Sequence, residues 1–166
     1  MKKKETLNLF RLLRRSLPLF WRACPAFLVV NLIVSVAHGL TWGVSIGVNA
    51  NLFDTVASSV HSGDLAGVLW AVALVGAVTV ACQALNGLSN FMLNQLMNRE
   101  TGYFRRQILR KAARTDPLAY EDPALLDDIN KAGEGANNAC GLCLNVIMVF
   151  AFYLPYFLCV GGYLFT

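Results

Sequence analysis

Charge is scarce in this sequence. Of its 166 residues, 14% are Asp, Glu, Lys or Arg, while 56% are hydrophobic. Soluble domains carry about 25% charged residues, so an ordinary soluble fold is excluded. Positive charge is missing altogether from residues 23–98 and 132–166. The signatures of self-contained catalysis are missing as well. There is no GxxxxGK[ST] loop to cradle phosphates, and no GxSxG, HExxH or GxGxxG. The chain therefore does not bind ATP in the P-loop manner, and we expect no catalytic, cofactor-binding or metal-binding residue of its own. Its five cysteines (Cys24, Cys82, Cys140, Cys143, Cys159) all sit in or beside apolar runs. That distribution argues against a secreted disulfide framework.

The fourteen basic residues form two groups. Lys2, Lys3, Lys4, Arg11, Arg14, Arg15 and Arg22 make the first. Arg99, Arg105, Arg106, Arg110, Lys111, Arg114 and Lys131 make the second. A nucleic-acid binder would gather them on one face of a soluble fold. Blocks that flank apolar runs instead follow the positive-inside pattern. The N-terminus and the second block are therefore expected in the cytoplasm, with the chain a multi-pass protein of the plasma membrane. Lys2–Lys4 followed by an apolar stretch superficially resembles a secretion signal, but the stretch runs beyond a cleavable apolar region. It reads as a retained span.

Apolar periodicity predicts an all-α membrane protein with three transmembrane helices and long cytoplasmic extensions. Residues 1–22 form an interfacial amphipathic helix, in which Leu7, Phe10, Leu13, Leu17 and Phe20 recur at spacings of three and four. Trp21 would anchor it at the headgroups, and Pro18 and Pro25 would punctuate the approach to the membrane. Spans follow at about 26–48, 65–88 and 139–165, each near the roughly 20 residues a bilayer core needs. His61-Ser62-Gly63-Asp64 reads as an outer turn. No proline interrupts the chain from Leu88 to Pro117, so one helix could run from Leu65 to about Arg114, about 75 Å at ~1.5 Å per residue. Thr115-Asp116-Pro117 and Glu121-Asp122-Pro123 each put an Asp at an N-cap and a Pro at the first helical position. They predict a short helix, Pro117 to Tyr120, between two long ones. Gly133-Glu134-Gly135-Ala136-Asn137-Asn138 stands where the third helix meets the membrane, a composition able to kink it.

Polar residues inside the spans are the candidate functional positions. Gly39, Gly43 and Gly47, preceded by Ser35, form a small-residue ridge suited to close helix packing. Asn31, Ser35, His38, Ser45 and Asn49 make a polar stripe on the same helix. Asn86, Asn90, Asn94 and Asn98 form a ladder on the next. Asn31, His38, Asn86 and Asn90 read either as interhelical hydrogen-bonding groups or as the wall of a hydrated substrate path. His38 is either a neutral, bonded imidazole or a protonation site. Cys140 and Cys143 form a CxxC pair, suited to packing or to redox or metal chemistry. The acidic pairs Glu121-Asp122 and Asp127-Asp128 read as first-turn acids favoured by the helix dipole, with paired-carboxylate catalysis or metal binding as the alternative.

This organisation resembles the first half of the transmembrane domain of an ABC exporter of type 1. The resemblance rests on the basic N-terminal helix, the long first span, the tight outer turn and the deep second helix. It rests above all on Arg105 to Lys131, whose basic helix, short transverse helix and acidic helix start are similar to a first intracellular coupling loop, here about 94–138. Tyr120-Glu121-Asp122-Pro123 is similar to a subgroup of bacterial exporters. The resemblance implies a partial exporter transmembrane domain over residues 23–166. It implies that Pro117, Leu118, Ala119, Tyr120, Glu121 and Asp122 contact a nucleotide-binding domain, with Asp116 and Asp122 capping the helices beside that contact. The implied partners are membrane lipid, an ATPase domain or subunit, and a second transmembrane domain in a homo- or heterodimer. ATP would be bound only by a nucleotide-binding domain outside these residues. Spans four to six and the ATPase motifs are missing, which makes the chain a truncated component on this reading. The alternative is a stand-alone membrane interaction or regulatory protein that assembles through the glycine ridge.

Overall fold

The computed structural model describes residues 9–165. The expectations for Lys2–Lys4 and Leu7 fall outside the described residues. Among those described, 94% are helical and none is in a strand. The order is α1 (Leu9–Ala23), α2 (Pro25–Ser62), α3 (Leu65–Ala112), a 3-10 turn (Pro117–Glu121), α4 (Pro123–Met148), a π turn (Val149–Tyr153) and α5 (Leu154–Leu164). Three helical stretches are long and apolar enough to cross a membrane: Pro25–His61, Leu65–Ala112 and Pro123–Leu164.

Local chemistry explains the boundaries. Residue 24 precedes a proline, whose ring disfavours the helical region for its neighbour. The chain bends at Cys24, and the Cys24 carbonyl then accepts the Leu28 N–H at 3.0 Å, opening α2. Pro18 does not punctuate the chain as expected, since α1 continues through it. A proline within a helix removes one bond, and α1 bends at Cys24 rather than here. Between α2 and α3 only Gly63 and Asp64 lie outside helix. Gly63 has φ +71°, a left-handed conformation suited to residues without a Cβ. Its N–H donates to the Ser59 carbonyl at 2.8 Å. The Asp64 carboxylate then caps α3 by accepting from the Gly67 N–H at 3.0 Å.

The third span carries one irregularity in its hydrogen bonding. Helix α4 runs without a break through Gly133-Glu134-Gly135. The irregularity lies further on, where the Leu154 N–H reaches back five residues to the Val149 carbonyl. Pro155 accounts for it: a proline in regular α-helix loses its N–H bond and presses its ring against the carbonyl four residues earlier. A π turn is a recognised way of absorbing such a conflict.

Two compact units divide the chain. One comprises the described part of Met1–Val29 with Leu93–Val146. Its interior holds Phe20, Leu28, Leu96, Cys140, Cys143 and Leu144, together with Glu100. Leu96 and Glu100, four apart, lie on one face of α3, while Cys140 and Cys143 lie on one face of α4. The Arg99 guanidinium lies over the Phe27 ring at 4.7 Å.

The other unit comprises Val30–Met92 with the chain from Ile147 onward. Its buried set is polar to an unusual degree: Asn31, Ser35, His38 and Ser89 beside Ala71, Cys82, Met92 and Ala151. The large apolar side chains point outward instead, Trp70 being 80% exposed. Apolar surface outside and polar groups inside is the arrangement expected when the surroundings are lipid.

Candidate functional site

The turn between α3 and α4 is assembled by two carboxylates. Asp116 Oδ1 accepts from the Leu118 N–H at 3.0 Å, and Pro117 occupies the first turn of the 3-10 helix. Asp122 Oδ1 accepts from the Ala124 N–H at 2.9 Å and so opens α4. The Asp122 N–H meanwhile donates to the Ala119 carbonyl, closing the 3-10 turn. Pro117, Leu118, Tyr120, Glu121 and Asp122 are all exposed, and Ala119 is half-buried. Leu118 is 72% exposed, although it is a large apolar residue on a short polar turn. The turn therefore offers Leu118 and Tyr120 outward from a backbone held at both ends.

The polar stripe of α2 lies at a second place. Asn31 and Ser35 are fully buried and His38 nearly so. Ser35 Oγ reaches Met148 Sδ at 3.8 Å. His38 Nε2 accepts from the Trp42 indole N–H at 2.9 Å, and its ring lies 4.8 Å from that of Phe152. An imidazole that accepts at Nε2 is neutral with its proton on Nδ1, and Nδ1 is buried without a partner. Both polar atoms of the Asn31 amide are buried and unpartnered too. An unsatisfied buried amide costs free energy.

Asn86 and Asn90 are placed differently. Asn90 Nδ2 donates to Asn86 Oδ1 at 3.0 Å, and Asn90 is exposed. These two satisfy each other along one face of α3, while Asn31 and His38 sit in an interior.

The glycine row faces the chain's own last helical stretch. A Cβ on Gly39 would lie 2.3 Å from the Phe152 carbonyl oxygen, and one on Gly43 would lie 2.5 Å from Cys159 Cβ. At Gly47 the nearest atom, on the Tyr163 ring, is 3.5 Å away. The row is already filled by Phe152, Cys159 and Tyr163, so a second chain could not dock there without displacing them.

Cys140 and Cys143 are buried and form no disulfide. Glu100 lies near enough to both, and to Cys24, to act on them electrostatically. Among the described residues no three His, Cys, Asp or Glu side chains are grouped to hold a metal ion. Lys131 pairs with Asp127 one turn away on α4, both side chains exposed. Glu100 itself is fully buried, and neither carboxylate oxygen has a partner. It falls in the segment read from sequence as the cytoplasmic extension of α3, beyond the end of the span near Leu88. Burial pushes its carboxyl up to about 7.

Sequence reasoning passed over Glu100 and the π turn. The first was signalled by its place four residues after Leu96 on an apolar row, the second by Pro155 inside a span. Compared with known protein families, with curated proteins and with solved structures, the chain matches none.

Proposed function

We propose that this chain is a transmembrane component of an ATP-driven exporter of the ABC type, docking a nucleotide-binding domain through Pro117–Asp122. One observation carries the reading. The single 48-residue helix α3 leads, after a short turn, into a capped 3-10 helix with exposed Leu118 and Tyr120. At ~1.5 Å per residue such a helix is about 72 Å long, more than twice the ~30 Å hydrocarbon core. A simple anchor has no use for that excess. A lever that carries motion between a membrane path and a distant ATPase does.

On this reading the inner-face location of the turn follows from the basic residues at both of its flanks. The buried Asn31 and His38 belong to the substrate path, and Asn86 and Asn90 face a neighbouring helix or the same path. Docking on the turn would bury Leu118 and bring Tyr120 and Glu121 against the partner.

The test is a photo-crosslinking amino acid at Leu118, expressed in native membranes. The expected adduct is a polypeptide with a P-loop ATPase domain, and Tyr120→Ala with Glu121→Lys should abolish it. Adducts that lack such a domain, or an adduct indifferent to both substitutions, would refute the assignment.

A further inference from the structure

A pocket of about 310 Å³ opens where α1 gives way to α2 and the far part of α3 passes beside it. Ala23 and Cys24 form one wall, and Asn98, Arg99, Tyr103 and Arg106 form the other. Arg99 and Arg106 are seven apart, two helical turns, so both guanidinium groups issue from one face of α3. Among the described residues neither has a carboxylate partner. Two cations lining one concavity attract an anion, against the carboxylate of Glu100, which also acts on Cys24 in the same pocket's wall.

The donor set is specific. The Arg99 guanidinium carbon lies 4.7 Å from the centre of the Phe27 ring, a contact that uses none of its N–H groups as conventional donors. A guanidinium edge matches two oxygens of a phosphate. The Asn98 amide and the Tyr103 hydroxyl add neutral hydrogen bonding. Gly102 also lines the pocket, and a Cβ there would meet nothing within 4 Å. That open space is part of the cavity.

Depth follows from the walls. The first span is read to begin at about residue 26, so Ala23 and Cys24 stand just outside the hydrocarbon. Asn98–Arg106 shares their pocket and lies past the end read for the second span near Leu88, so both walls stand outside the hydrocarbon on the same side. Basic pockets between helices on the cytoplasmic side take phosphate headgroups. We propose that this pocket binds the phosphate of an anionic phospholipid. The site is independent of the exporter reading and calls only for a chain set in a bilayer.

The full chain, purified in mild detergent, would be titrated with short-chain phosphatidylglycerol, with short-chain phosphatidylcholine and with inorganic phosphate. The anionic lipid should bind at least about tenfold more tightly than the zwitterionic one, at about fivefold for each arginine. Arg99→Gln with Arg106→Gln should remove that preference. Gly102→Leu should remove it as well, by filling the cavity with every charge in place. Arg110→Gln with Lys111→Gln removes the same charge from the neighbouring turn and should leave the preference intact. Circular dichroism would verify that each variant keeps its helix content. Saturable binding of inorganic phosphate that also depends on Arg99, Arg106 and Gly102 would uphold the anion site and assign it to free phosphate. Equal binding of both lipids without phosphate binding, or a preference untouched by Gly102→Leu, would overturn the proposal.

Discussion

Gly39 of α2 lies directly beneath the Phe152 carbonyl of the π turn, so close that a Cβ would come within 2.3 Å of the oxygen. The obstacle is main chain, which cannot swing aside as a side chain can. Gly39→Ala should therefore destabilise the protein by about 1–3 kcal/mol, the usual range for forced overpacking. Gly43→Ala meets the Cys159 side chain and should cost less. Gly47→Ala meets only the Tyr163 ring at ordinary contact distance, and should be neutral or gain up to about 1 kcal/mol from helix propensity. Thermal unfolding in detergent, read by circular dichroism, would check the order.

The two caps around the exposed turn are separable from its contact surface. Asp116→Ala and Asp122→Ala each remove an acceptor for a backbone N–H, at about 1 kcal/mol apiece. The loss should appear locally, as faster proteolysis between Arg114 and Ala124. Asp→Asn at either place keeps the acceptor and should restore protection. Tyr120→Ala should leave the cleavage rate as it is.

Glu100 gives a pH dependence of definite sign. Its carboxyl ordinarily titrates at 4.5, and burial lifts it to about 7 in the folded chain. Below pH 4.5 both states hold the proton and the group has no effect. As pH rises from there through 7, the unfolded chain ionises first, so the fold loses stability, on the order of 3 kcal/mol in all. Glu100→Gln should flatten the fall. Melting temperatures between pH 4.5 and 8 would reveal it, and equal slopes for the two proteins would rule the effect out.

Cys24 reports on the same neighbourhood. Its thiol sits above the ordinary 9.0, first because burial disfavours the thiolate and then because Glu100 repels it, while Arg99 pulls the other way. The thiolate is the reactive form. Alkylation of Cys24 at pH 8 should be slower than that of a free thiol and should accelerate steadily up to pH 10. Arg99→Gln removes the opposing cation and should slow it further, as followed by peptide mass spectrometry.

Much of this architecture was legible in the residues. Thr115-Asp116-Pro117 and Glu121-Asp122-Pro123 announced two helix starts because Asp accepts at a cap and Pro has a fixed φ. The structure carries the intervening turn one residue further, to Glu121. Gly63 and Asp64 marked the bend between α2 and α3 for similar local reasons. Gly133 and Gly135 leave α4 unbroken, because glycine only weakens a helix whose neighbours can still hold it. Pro155 did break the regular ladder, and it was masked by the apolar run around it. The separation of Asn31 and His38 from Asn86 and Asn90 was not readable at all. Spacing shows which residues share a face, not whether that face meets an interior.

The π turn at Val149–Tyr153 contains one residue more than an α-helix needs to cover the same rise. It is a spare link in the chain. Removing any single residue within it would let the segment rewind as α-helix and leave Cys159 and Tyr163 on their present side. Removal of one residue a turn earlier or later would rotate all that follows by about 100°, the angle between neighbours in an α-helix. The last helix thus has one stretch where its length can change without changing what it shows to Gly43 and Gly47.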